Sequence, residues 1–148
     1  MTDSKPKPAA RRKARRFVLQ ALYQIQMTGD PATTVEAQFR QDNDMKNVDT
    51  LYFHEMLVAI DADAELVEII KAKLDRDYAE LDPIERCILR LGAKELKDRI
   101  DIPFKVVINE CVELAKQFGG SESHKLVNSV LDALAKELRI AEYRVQPG

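Results

Sequence analysis

From Val18 to Leu138 the apolar side chains return every three or four residues, and nothing reads as a strand meander. That period confines the chain to helices, because a 3.6-residue turn gathers such positions on one face. Only five glycines interrupt it. Val18, Ala21, Leu22 and Ile25 mark a first helix from about residue 9, stopped by the turn residues Thr28-Gly29-Asp30-Pro31. A short helix over 34–41 carries Val35 and Phe39 on one side. Asp49 is placed to cap a third helix, with Val48 and Phe53 as a hydrophobic staple and Met56, Leu57 and Ile60 along its stripe. The pattern falters at Asp61-Ala62-Asp63 and resumes through Leu66, Val67, Ile70 and Leu74, as one kinked helix or as two.

Asp82-Pro83-Ile84-Glu85 is the strongest helix start in the chain: a cap residue, proline in the first turn, and an acid three residues after the cap. Pro103 opens the next helix, whose apolar set (Val107, Ile108, Cys111, Val112, Leu114, Phe118) is wide enough for a nearly buried position. Gly119-Gly120 stops it, Ser121 is placed to cap a last helix, and the sequence after about Arg139 turns polar and is expected to fray. The fold class expected is all-α, with two packed three-helix subdomains. The parts are a flexible basic arm (1–8), an N-terminal subdomain (9–80), a C-terminal subdomain (81–140) and a polar tail (141–148).

An apolar content of 45% over 148 residues is enough for one core or two small ones. No apolar run approaches the ~20 residues of a membrane span, and the charged beginning is not a secretory signal. An Arg-rich start also suits an organelle transit peptide, against which stands its unbroken run into a core helix. Cys87 and Cys111 lie inside apolar helical patterns with no C-x-x-C pair or metal spacing. They read as small buried hydrophobes in a reducing compartment, which points to the cytoplasm. The net charge of −2 hides an asymmetry: residues 1–16 hold seven basic side chains against one acid, a net of +6, leaving −8 on the rest. A basic arm on an acidic body suits a polyanionic ligand.

Five groups are candidates for function. Arg11/Arg15 and Arg12/Arg16 are i, i+4 pairs whose like charges repel, a cost that phosphate contact would remove. A solubilising helix end is the other reading. Gly119-Gly120-Ser121-Glu122-Ser123-His124-Lys125 would expose backbone N–H groups at a helix start, or is plain punctuation between helices. Asp61-Ala62-Asp63-Ala64-Glu65 looks calcium-like but has Leu66 where an EF-hand loop needs glycine, so it reads as a solvated junction. His54 and His124 build no triad or zinc pattern. Tyr23 is either a boundary core residue or an exposed aromatic for a partner, and Glu85 already has a capping role. No constellation for acid–base or nucleophilic catalysis emerges, no cofactor or metal is called for, and the chain does not read as an enzyme.

Several ordered blocks resemble the NusB family of bacterial transcription antitermination factors. They are Ala9-Ala10-Arg11-Arg12-Lys13-Ala14-Arg15 with Gln20-Ala21-Leu22-Tyr23, Asp49-Thr50-Leu51-Tyr52-Phe53, Leu81-Asp82-Pro83-Ile84-Glu85-Arg86, Pro103-Phe104-Lys105-Val106-Val107-Ile108-Asn109-Glu110, and Glu113-Leu114-Ala115-Lys116-Gln117-Phe118-Gly119 followed by Ser123-His124-Lys125. The resemblance implies two packed three-helix bundles. It also implies a protein that pairs with NusE, a small-subunit ribosomal protein, to bind single-stranded boxA RNA. Together with other Nus factors on RNA polymerase, that pair resists termination, notably in ribosomal RNA operons. Position by position, it implies RNA contacts by Arg11, Arg12, Lys13 and Arg15 and by Gly119, Glu122, Ser123 and Lys125, with Tyr23 and Glu85 on the NusE side. Leu126 departs from the commoner phenylalanine, Gly120, Ser121 and Glu122 from alanine, glutamate and aspartate, and Arg16 falls past the usual end of the arginine-rich motif. The fold also precedes some RNA cytosine methyltransferase domains, an activity not expected without the dinucleotide-type domain. A protein-only helical adaptor and an RNA-modifying enzyme remain the competing classes, and monomer or homodimer in the free state stays open.

Overall fold

The structure is a computed structural model that describes residues 7–145; the first six residues of the expected basic arm lie outside the described residues. Among the described residues there are eight α-helices, one 3-10 turn and no strand. The helices are α1 (Pro8–Thr28), α2 (Ala32–Asp42), α3 (Thr50–Asp61), α4 (Glu65–Lys71), α5 (Pro83–Asp98), α6 (Phe104–Phe118), α7 (Ser123–Leu138) and α8 (Ile140–Arg144), with the 3-10 turn at Tyr78–Glu80. None is long and apolar enough to cross a membrane. The contacts group into two compact units, Met1–Ala62 and Asp63–Gly148.

The first unit is a three-helix bundle. Helix α1 starts one residue earlier than expected, because Pro8 carries the fixed φ a first turn wants and lacks an N–H that would go unbonded there. It stops at Gly29, whose φ of 76° lets its N–H turn back to the Ile25 carbonyl at 2.8 Å. Asp49 caps α3 as read from sequence, accepting from the Tyr52 N–H at 3.1 Å. Inside, Phe17, Phe39 and Phe53 bring one ring from each helix together at centroid separations of 4.9 to 6.2 Å. Val18, Leu22, Val35, Leu57 and Ile60 fill the space around them with no exposed surface.

The second unit is built on α5, α6 and α7, each packed on the other two, with α4 laid on α5 and α7 and α8 on α7. The faltering at Asp61-Ala62-Asp63 is a true break: α3 ends and α4 begins after it. Leu66 and Ile70 of α4 are fully buried, so α4 belongs with the second unit and the division falls earlier than the residue-80 boundary expected from sequence. Asp82 and Glu85 form the capping box at the head of α5. Gly92 lets α5, α6 and α7 close up, since a Cβ there would stand 2.6 Å from Leu131 Cδ1 and 3.1 Å from Cys111 Sγ.

Two local expectations are corrected. Ser121 does not cap α7: it is exposed in the turn, α7 starts with no side-chain cap, and the serine that ties the turn is Ser123, whose Oγ accepts from the Gly120 N–H at 3.1 Å. The tail does not fray at Arg139. That guanidinium is 4% exposed and donates to the carbonyls of Leu96, Ile102, Glu95 and Arg99 and to Glu142 Oε1, at 2.7 to 3.1 Å. A cation there closes the end of α5, where the helix dipole concentrates negative charge. Glu142 Oε2 then accepts the Phe104 N–H at 2.8 Å, capping α6 where Pro103 cannot, and Tyr143 stacks on Phe104 with its hydroxyl on Asp132. Polarity hid this latch from the sequence.

Candidate nucleic-acid interface

Helix α1 has no acidic residue in its first turn, so its cations crowd the positive end of the helix dipole with no acid of that turn to offset them. The helical period sorts them onto two stripes. Arg11 and Arg15 turn inward. Arg11 Nε donates to Asp49 Oδ2 at 3.1 Å, and its guanidinium lies 3.8 Å from the centroid of the Tyr52 ring. Arg15 is 4% exposed and sits 5.9 Å from the same ring. Asp49 thus serves two ends at once, one oxygen on the α3 cap and the other on Arg11, while its N–H bonds the Ala10 carbonyl at 3.1 Å. Arg12 is exposed, and Lys13 and Arg16 are half-buried. Lys7 and Lys13 line a cleft of about 520 Å³ together with Ala9, Ala10, Asn47 and Val48. Sequence reasoning saw the charge run but not this sorting; the only signal was Tyr52 and Asp49 three residues apart.

The second segment is a tight turn rather than an open loop. A Cβ on Gly119 would lie 2.7 Å from Ser123 Cβ and 2.8 Å from the Ala115 carbonyl, so glycine is needed for the chain to close there. Ser123 is buried, its Oγ held by the Gly120 N–H and donating to Glu85 Oε2 at 2.6 Å. Glu85 Oε1 meanwhile accepts the Asp82 N–H at 3.0 Å. Both carboxylate oxygens of Glu85 are therefore engaged within the unit. Glu122 and Lys125 are exposed and pair with each other at 3.0 Å. Beside them lies a cleft of about 600 Å³ lined by Lys73, Arg76, Glu85, Glu122, Lys125 and Leu126 among others.

Tyr23 is 37% exposed and Met27, one turn on, is 51% exposed, so the exposed-aromatic reading of Tyr23 describes its position. The reading of Asp61–Glu65 as a solvated junction fails for Asp63. Its side chain is 13% exposed and takes Lys94 and Lys97 at 2.8 Å each. Those two hydrogen bonds hold its carboxyl down at about 2. His54 Nδ1 meets Glu36 Oε1 at 2.7 Å, and Glu36 also holds Arg40. Cys87 and Cys111 are buried thiols, and burial pushes Cys87 up to about 11.

The NusB family model matches residues 12–136. A transcription antitermination protein NusB from Marinobacter nauticus is 51% identical over 140 residues, covering 94% of this chain and 89% of that protein. Its counterpart from Alcanivorax borkumensis is 53% identical over 136 residues, 91% of each chain. Among solved structures, T. maritima NusB superposes with a TM-score of 0.78 at 27% identity, over 95% of this chain and all of that one. A structure of the antitermination factors NusB and NusE in complex with dsRNA matches with a TM-score of 0.76 at 24% identity, over 88% of this chain and 98% of that one, and bears on the fold alone.

Proposed function

The chain belongs to the NusB family, and from that premise we propose that it is a transcription antitermination factor whose immediate ligand is leader RNA. It binds single-stranded boxA-type RNA together with NusE, a small-subunit ribosomal protein. Within the RNA polymerase antitermination complex, alongside other Nus factors, it helps the enzyme resist termination, notably in ribosomal RNA operons. Its role is regulatory rather than catalytic, it works in the cytoplasm, and it needs no cofactor.

The observation that carries this reading is identity of about one half with antitermination proteins over nearly the whole of both chains. The basic head of α1 supports it physically, because Arg12, Lys13 and their neighbours offer phosphates a cationic helix end whose first turn holds no acid. Arg11 and Arg15 belong to the same contact segment by holding it in shape. In the second segment Lys125 and Glu122 stand at the surface, while Gly119 and Ser123 contribute through the turn they build. Tyr23 meets the partner through its exposed ring, and Glu85 lies on the partner side as the anchor of that turn.

Titration of a boxA-type RNA oligonucleotide, with and without NusE and at two salt concentrations, tests the proposal. Salt-sensitive binding that strengthens when NusE is added is the expected outcome. Binding that ignores both salt and NusE would sink it.

A further inference from the structure

Helix α1 keeps two sets of cations apart, and the inward set would have to leave its partners to meet a polyanion. Arg11 is anchored to Asp49 and stacked on Tyr52, and Arg15 is buried at the edge of the same ring. Drawing either onto a phosphate would strip a buried or half-buried group of its counterpart. Arg16 stands one position past Arg15 and is not buried. Its neighbour one turn back on the same stripe is the exposed Arg12, and Lys13 is three residues before it, so the three form one cluster on adjoining rows. No acid occurs anywhere between Asp3 and Asp30, which leaves Lys13 and Arg16 without a carboxylate along their own helix. Among the described residues neither takes part in any ion pair. Such cations keep a mobile counterion shell whose release on phosphate contact drives association, whereas Arg11 has already exchanged its shell for Asp49 and Tyr52.

We propose that Arg16, which the family resemblance leaves without a role, is an RNA-phosphate contact of this chain. It acts with Arg12 and Lys13, while Arg11 and Arg15 are positioning residues that fix the angle of the helix bearing them. The assignment rests on the RNA-binding reading above. It divides the basic run by face rather than by motif: the outward stripe sets the number of phosphates neutralised, and the inward stripe sets where they are met.

The test is a fluorescence-anisotropy titration of a boxA-type single-stranded RNA with NusE present, across several salt concentrations. Wild type, Arg16→Ala, Arg16→Glu and Arg11→Ala are compared, each checked for folding by circular dichroism. Each lost single-strand phosphate contact flattens the log–log salt slope by about 0.7. Arg16→Ala should therefore flatten it by about that much and weaken binding severalfold, and Arg16→Glu should do more. Arg11→Ala should lower the melting temperature and the affinity but leave the slope near the wild-type value. If wild type binds while Arg16→Ala keeps both its affinity and its slope, the assignment is overturned and the RNA-binding reading stands. If wild type binds no RNA at any salt concentration, both fall.

Discussion

Ser123 donates to Glu85 across 2.6 Å, and through that bond the beginnings of α5 and α7 share one carboxylate. One oxygen of Glu85 closes the capping box of α5; the other fixes the serine that turns the chain into α7. Removing the serine hydroxyl would deprive Glu85 of its donor and the Gly120 N–H of its acceptor. Ser123→Ala should cost about 1–3 kcal/mol in urea denaturation, the range for a hydrogen bond to a charged group whose partner is left behind. A loss below about 0.5 kcal/mol would mean that the turn stands without the bond.

Gly92→Ala sets two opposing effects against each other. Alanine in a helix interior gains about 1 kcal/mol over glycine. The added methyl must displace Leu131, which has no exposed surface to move into, and crowds Cys111. Overpacking of a filled core costs about 1–3 kcal/mol, so the variant should be net less stable. Pairing it with Leu131→Ala relieves the clash but opens space elsewhere, and the double variant should lose less than the sum of the two single losses. Additive losses would show that the helices had already moved apart.

Asp63 titrates at about 2 in the folded chain, chiefly because Lys94 and Lys97 hydrogen-bond its charged form, against about 3.9 for a free aspartate. A depressed carboxyl stabilises the fold above the unfolded value and loses that contribution as pH falls toward the folded one. Wild type should therefore exceed Asp63→Asn in stability by a constant margin from about pH 5 to 8, and the part due to the charge should shrink below about pH 5 and be gone only by about pH 1. Unfolding midpoints at pH 7, 5 and 3 check this. A margin undiminished at pH 3 would place the stabilisation outside the ionised carboxylate.

Arg139 should be the most sensitive charged position of the second unit. Truncation to alanine takes the guanidinium from the Leu96 and Ile102 carbonyls and from Glu142, while the Glu95 and Arg99 carbonyls keep the Arg99 and Ile102 N–H groups, a loss of about 3–5 kcal/mol for a buried paired charge. Arg139→Lys should recover only a small part, since one ammonium cannot reach what a planar fork reaches. Thermal unfolding of both variants decides it, and full recovery by lysine would contradict the role given to the fork.

Much of the architecture was legible because it is written in local chemistry. Asp49, Asp82 with Glu85, Pro83 and Gly29 announce helix ends through side-chain or backbone properties that act within four residues, and the apolar spacing names the buried faces. What escaped reading depends on partners distant in sequence. Asp63 looked solvated because Lys94 and Lys97 lie some thirty residues on; Arg139 looked like the start of a polar tail because the carbonyls it closes belong to another helix. At the candidate site the type of residue was legible and its direction was not. Five basic residues within positions 11–16 give a charge, whereas the face that Arg11 and Arg15 occupy depends on Tyr52 and Asp49.

The seat of Arg11 on Tyr52 and Asp49 also bears on how association would proceed. Many basic segments that bind polynucleotides are unstructured alone and must order on contact, which subtracts from affinity and leaves a large heat-capacity signature. Here the first turns of α1 are already fastened before any ligand arrives, so the outward cations ride on a prebuilt ledge. Capture on such a surface carries little ordering entropy, and its heat-capacity change reflects the area of the contact alone.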